Sequence, residues 1–189
     1  FLTVTAANFL PFWIIFFASA FLRLPSAVLL HCRIALPMFA WLGFILMVVG
    51  GLMTDVAVFQ GESTVMFTSY PPLKASPYFY LGLITFAVGA LIGCFVFFAT
   101  LVVAKQEKTY EGSVPLVTFG AITAAIIAVF TLASGAVILI PTWFWSMGLI
   151  SNVDPVLYKV VWWAMGHSSQ QINVSAHVSI WYLTAALLL

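Results

Sequence analysis

The chain has 189 residues, of which 64% are hydrophobic and only 6% are charged, and its mean hydropathy is +1.17. This composition excludes a soluble globular domain and predicts an integral membrane protein. The net charge is +1 and the sequence has no basic cluster, so nothing indicates nucleic-acid binding. Aromatic residues make up 16% of the chain, which fits either packing around a large flat ligand or the interfacial belts of a membrane protein.

Apolar stretches of about 20 residues predict transmembrane helices. In chain order the five predicted helices cover residues 1–22, 34–53, 78–104, 116–140 and 156–188. Pro11 predicts a kink in the first helix, and Pro141 predicts the end of the fourth. We therefore expect one all-α membrane domain over residues 1–189. Because the chain begins without methionine and ends inside an apolar run, we also expect it to be part of a longer protein.

Nearly all charged residues lie in the connections between the predicted helices. Connections 23–33 and 105–115 hold four of the six basic residues, namely Arg23, Arg33, Lys105 and Lys108. By the positive-inside rule, both connections are predicted to be cytoplasmic. The two cysteines, Cys32 in a polar connection and Cys94 in an apolar span, predict neither a disulfide nor a metal motif.

The fifth predicted helix is unusually polar. Its middle carries two histidines, two adjacent glutamines, one asparagine and four serines. Polar side chains at membrane depth are costly and usually face a cavity, a cofactor or a proton path. His167 follows Pro155 by 12 residues, which places it about 18 Å along the helix and inside the hydrocarbon.

Helical spacing puts several polar side chains on one face with His167. Trp163 precedes His167 by four residues and Gln171 follows it by four, so both share its face. Farther along this stripe, Gln171, Ser175 and Tyr182 can hold a chain of waters toward the cytoplasm. A second stripe combines Gln170, Asn173 and His177.

The three histidines have alternative interpretations. His167 is either a metal ligand or proton carrier, or a side chain bonded to a neighbouring backbone carbonyl, and the pattern leaves both open. For His177 the carbonyl-bonded state is favoured because no partner is visible, and His31 is expected to be solvated. One histidine does not make a metal site, so a metal here needs ligands from outside this segment.

Three motifs resemble subunit I of the B-family haem–copper oxygen reductases. Residues 63–82, with the run Tyr-Pro-Pro-Leu-Lys, resemble the loop before helix IV of that family. Residues 114–118 resemble the start of its helix V. Residues 153–167, with Asp-Pro, Trp-Trp and Gly-His in order, resemble the start of its helix VI. The resemblance covers almost the whole chain as helices II to VI of a subunit with twelve or more helices, in the orientation that the charges predict.

The resemblance implies a fold that holds two haems and one copper, with His167 as one of three histidine ligands of the copper. The other two ligands are expected outside this sequence. A ligand of the low-spin haem is expected where Val4 stands. Either that ligand precedes Phe1 or this chain has lost it.

Gln171 departs from the oxygen reductases of that family. Their tyrosine at this position is linked to the copper histidine and supplies a proton and an electron when the O–O bond breaks. An amide supplies no electron, but it can hydrogen-bond a ligand or a water. Nitric-oxide-reducing relatives lack the tyrosine. The resemblance therefore implies a nitric oxide reductase in which Trp163 packs against the site, Gln171 orients NO or water, and Ser175 and Tyr182 lie on the proton route.

Other functions remain open. An oxygen reductase can dispense with the linked tyrosine or use another, for which Tyr182 is a candidate. A non-catalytic scaffold subunit is also compatible with the sequence, because Val4 stands where a haem ligand is expected and the chain is short. A transporter fits less well, because the helices show no inverted repeat. As an enzyme, the protein is expected in a prokaryotic plasma membrane with other reductase subunits. Its electron donor would be a cytochrome, a copper protein or a quinol.

Overall fold

Four long helices dominate the computed structural model, which describes residues 23–63, 65 and 68–188. Helix α1 covers Pro37–Phe59, α2 covers Pro77–Gln106, α3 covers Leu116–Ser146 and α4 covers Pro155–Leu188. A short π-helical turn, Leu24–Val28, precedes them. Within the described residues the only β structure is one isolated bridge between Ser63 and Ala75. The predicted all-α class is confirmed. The first predicted helix, with Pro11 and Val4, lies outside the described residues.

Local sequence explains where these helices begin. Proline stands at the first position of α1, α2 and α4, where its missing N–H costs nothing and its fixed φ suits a helix. At the start of α4, the Asp154 carboxylate accepts hydrogen bonds from the backbone N–H groups of Val156 at 2.8 Å and Leu157 at 3.4 Å. Such a cap satisfies otherwise unpaired donors at the helix N-terminus.

Helix α3 continues through Pro141 to Ser146, so the prediction that Pro141 ends this helix is wrong. Proline removes one backbone hydrogen bond and crowds the carbonyl four residues earlier. Membrane helices tolerate it because nearby hydroxyls and packed neighbours compensate. Here the buried Thr142 hydroxyl donates to the Ile138 carbonyl at 2.7 Å, and Trp145 beyond the proline is buried. The packing of Trp145 holds the last turn of α3 against the bundle.

Glycine contacts bring α1 and α2 together as an antiparallel pair. A Cβ atom added at Gly50 would lie 2.5 Å from the Gly82 carbonyl oxygen, and one at Gly43 would lie 2.9 Å from the Gly89 carbonyl oxygen. Small residues allow this close backbone approach, which drives helix association in lipid. Helices α3 and α4 form a second close pair, and α2 packs against α3. The four helices therefore pack in chain order, with α1 and α4 as the outer members.

The connections gather at two ends of this bundle. At the first, called the basic end because it carries Arg23, Arg33, Lys105 and Lys108, the Thr109 hydroxyl donates to the Leu30 carbonyl at 2.6 Å. Also there, the Thr118 hydroxyl donates to the Pro25 carbonyl at 2.7 Å. At the opposite end, called the aromatic end, the Lys74 ammonium lies 4.4 Å from the centre of the Trp145 ring. The two basic connections thus share one end, and their cytoplasmic location stays a prediction.

Three of the described helices, α1, α2 and α3, are long and apolar enough to cross a membrane. Helix α4 has 34 residues, which gives it a length of about 51 Å. Because its middle is polar, α4 is not among the helices that are apolar enough to cross a membrane by this criterion. A helix that long with polar side chains at its centre needs neighbours or a cavity to receive them.

Candidate metal-binding face of the last helix

One face of α4 packs against α3. Its buried residues are Tyr158, Trp162, Gly166, Ala176 and Ser179. The close approaches include Gly135, where an added Cβ would lie 2.5 Å from the Met165 sulfur. Because α4 is fixed to α3 through this face, the side chains half a turn away point out of the helix row.

The predicted stripe lies on the opposite face of α4. His167 and Gln171 are exposed, Trp163 is 45% exposed and Tyr182 is 44% exposed. Ser175 is half-buried at the edge of the stripe. The structure therefore brings the five residues onto one side of one helix, and no other described helix covers that side.

The His167 ring is available to a metal. It forms no hydrogen bond with the described residues, so the carbonyl-bonded alternative left open by the sequence is not what the structure shows. Among the described residues, no group of three or more His, Cys, Asp or Glu side chains lies close enough to hold a metal ion. Imidazole is a suitable ligand for copper, and one histidine can supply one of the several ligands that a copper ion needs. The assignment of His167 to a copper site stays a prediction.

His177 has a different environment on the same helix. Its Nδ1 lies 2.7 Å from the Asn173 carbonyl oxygen. A carbonyl oxygen can only accept, so Nδ1 carries the proton and donates it to Asn173. This is the carbonyl-bonded histidine that the sequence favoured at this position. His31, as expected for a solvated residue, is exposed in the first connection.

An aromatic anchor that sequence reasoning missed sets the rotation of α4. Tyr158, which is 0% exposed, stacks on Trp162 with centroids 5.8 Å apart and planes 10° apart. Tyr70 packs edge-on against Tyr158 at 5.8 Å, and the Tyr158 hydroxyl donates to the Thr68 carbonyl at 3.1 Å. The four-residue spacing of Tyr158 and Trp162 was the available signal. By burying that face, the anchor turns His167 outward.

The Cys32 thiol lies partly buried in the first connection. Its sulfur lies 3.3 Å from the Ser26 carbonyl, to which the thiol donates. Burial raises the pKa of the Cys32 thiol, and the nearby Glu107 carboxylate raises it further. Thiols react as thiolates, so this environment disfavours nucleophilic chemistry or metal binding at Cys32.

Residues 3–188 match the family of cytochrome c and quinol oxidase polypeptide I. The chain belongs to this family, the subunit I family of haem–copper oxidases. It is 30% identical over 131 residues to cytochrome c oxidase subunit 1 of Thermus thermophilus, a match that covers 67% of this chain and 23% of that protein. It superimposes on a solved haem–copper terminal oxidase dimer with a TM-score of 0.79 and 26% identity, over 94% of this chain and 29% of that one.

The chain thus spans less than a third of the length of either relative. Family membership and the three apolar helices indicate a multi-pass membrane protein. Haem and copper are the cofactors that this family implies in general.

Proposed function

We propose that the protein containing this chain is a respiratory reductase that converts nitric oxide to nitrous oxide at a haem–copper centre, with His167 as a copper ligand. The observation that carries the proposal is Gln171. It lies one helical turn beyond His167 on the same exposed face of α4. The oxygen reductases that the chain resembles have a redox-active tyrosine at this place, and an amide cannot take that role.

The chemistry of nitric oxide reduction is compatible with an amide. Two NO molecules, two electrons and two protons give N₂O and water. The metals supply the electrons when bound, so no protein radical is needed. The Gln171 carboxamide can donate a hydrogen bond to NO or to water and accept one from water. Trp163, on the same face, would pack against the site and restrict the access of water.

Ser175 and Tyr182 extend the polar stripe toward the C-terminus of α4. Tyr182 follows Gln171 by 11 residues, a separation of about 16 Å along the helix. This exceeds any direct hydrogen bond, so a proton route through these residues requires bridging waters. Ser175 stands between them at the edge of the stripe and would position such a water.

Turnover of isotope-labelled NO by the purified complete complex, with an artificial electron donor, tests this proposal. We expect labelled N₂O as the product. Gln171→Leu should lower the rate by a factor of about 10²–10³, as for the loss of one hydrogen-bond donor at a reacting group. Gln170→Leu, on the neighbouring exposed position of the second stripe, is the matched control and should stay near the wild-type rate. Rapid O₂ turnover without NO turnover would contradict the proposal.

The second candidate is an oxygen reductase, and the relatives favour it, since one is a cytochrome c oxidase and the other a terminal oxidase. This function requires an electron and a proton from a group other than Gln171. Tyr182 lies 15 residues beyond His167, about 22 Å along α4, which is too far for contact with a ligand at His167. Water formation from O₂, with no N₂O formed from NO, would establish this candidate instead.

A further inference from the structure

The buried carboxyl group of Asp55 is not used by the proposed chemistry. Asp55 lies one turn before the end of α1 at Phe59 and is only 6% exposed. Its Oδ1 atom is buried and has no hydrogen-bond partner among the described residues. The hydroxyl of the adjacent Thr54 donates to the Gly50 carbonyl at 2.9 Å, so it does not serve the carboxyl group. An ionisable residue in a membrane helix is expensive and is usually retained for a function.

Nothing described offers Asp55 a counter-charge. Residues 1–22 contain no ionisable side chain. Helix α2, which packs against α1, contributes the exposed Tyr78 and the buried Tyr80 near this end, and the connection between the helices contributes the exposed Glu62 and Lys74. The Lys74 ammonium lies over the Trp145 ring. A carboxylate that is withdrawn from water without a counter-charge is disfavoured, so the group is expected to hold its proton.

Buried polar groups also lie in the connection that follows α1 at the aromatic end. The side-chain oxygens of Ser63, Tyr70 and Ser76 are buried and form no hydrogen bond within the described part of the chain. The bridge between Ser63 and Ala75 and the 3.0 Å hydrogen bond from the Ser76 N–H to the Glu62 carbonyl hold this connection in place. Buried hydroxyls of this kind are commonly satisfied by ordered water. Waters bound to them would link the end of α1 to the aqueous phase.

We propose that Asp55 is a proton-binding site that exchanges its proton with water at the aromatic end of the bundle. Its ligand is the proton itself, and the hydroxyls of Ser63, Tyr70 and Ser76 hold the waters that carry it. Asp55 precedes the end of α1 by four residues, or about 6 Å, so the path is short. The site is separate from the His167 face, because α1 and α4 are the outer members of the helix row.

Infrared spectroscopy of the complete complex in membranes tests the site without any turnover. At neutral pH we expect a carboxylic-acid C=O band that shifts when D₂O replaces H₂O and that is missing in Asp55→Asn. Asp154→Asn is the matched control and should keep the band, since Asp154 is an exposed cap that accepts backbone hydrogen bonds. Identical spectra for wild type and Asp55→Asn, or a band that D₂O leaves unshifted, would overturn the proposal.

Two further variants keep the test decisive if Asp55→Asn does not assemble. Asp55→Glu retains the acid and should change the frequency of the band; an unchanged band would belong to another residue and overturn the assignment. The double variant Ser63→Ala, Tyr70→Phe should keep the band but slow its D₂O shift several-fold. An unchanged exchange rate would remove the proposed route. Neither result depends on whether the protein reduces NO or O₂.

Discussion

His167 and His177 share one helix but differ in what their rings contact. His177 donates to the Asn173 carbonyl, whereas His167 has no partner among the described residues. Helical spacing from the sequence is sufficient to place Trp163, His167 and Gln171 together. It does not decide between ligand and carbonyl-bonded histidine, because that depends on the side-chain rotamer. Only the structure shows that the His167 ring has no hydrogen-bond partner among the described residues.

Replacement of His167 by alanine should remove copper and leave the fold intact. The ring is exposed and packs against no described helix, so its loss leaves no cavity. We expect the purified His167→Ala complex to lose nearly all its copper in metal analysis and to keep its helical circular dichroism. His177→Ala is the control. It should keep its copper and lose only about 1 kcal/mol of stability with one hydrogen bond. Unchanged copper in His167→Ala would remove His167 from the copper site.

At the scale of helices, the elements were more predictable than their ends. Apolar runs locate α1, α2 and α3 because lipid requires about 20 apolar residues. The sequence-based end of α3 at Pro141 failed because membrane helices tolerate an internal proline where the turns beyond it are packed, as Trp145 is here. The rotation of α4 about its axis could not be predicted from the sequence either, since it depends on a tertiary contact between Tyr158 and the connection before α2.

The anchor of α4 should contribute measurably to stability. Tyr158→Phe keeps the ring stack on Trp162 but removes the hydroxyl that donates to the Thr68 carbonyl. We expect a loss of about 1 kcal/mol, which lowers the thermal unfolding temperature of the complex in detergent. Tyr78→Phe, at an exposed tyrosine, is the matched control and should have no effect. Equal unfolding temperatures for wild type and Tyr158→Phe would show that the bond does not stabilise α4.

The contact between α1 and α2 should not tolerate a methyl group. In Gly50→Ala the new Cβ would lie 2.5 Å from the Gly82 carbonyl oxygen, so the helices must separate. We expect a destabilisation of about 1–3 kcal/mol, as for overpacking of a tight core, measured by thermal unfolding. Val49→Ala, at the exposed neighbouring position, is the control and should change little. A Gly50→Ala complex as stable as the control would contradict the close approach.

At the scale of the whole molecule, the described helices form a row whose outer member, α4, presents His167 and Gln171 away from the row. Three of the helices are apolar enough to span a membrane, and the fourth carries the polar stripe. The chain spans less than a third of its relatives. A complete set of copper and haem ligands could not be read from this sequence, because no metal-binding cluster occurs in its described part.

The metal content of the purified complete complex, together with its absorption spectrum before and after exposure to NO, tests the central claim most directly. We expect about one copper for every two haems, and a reduced spectrum that NO perturbs and that recovers as NO is consumed. A complex without copper, or without a haem that binds NO, would contradict the account. It would show a chain that keeps the family fold without its chemistry.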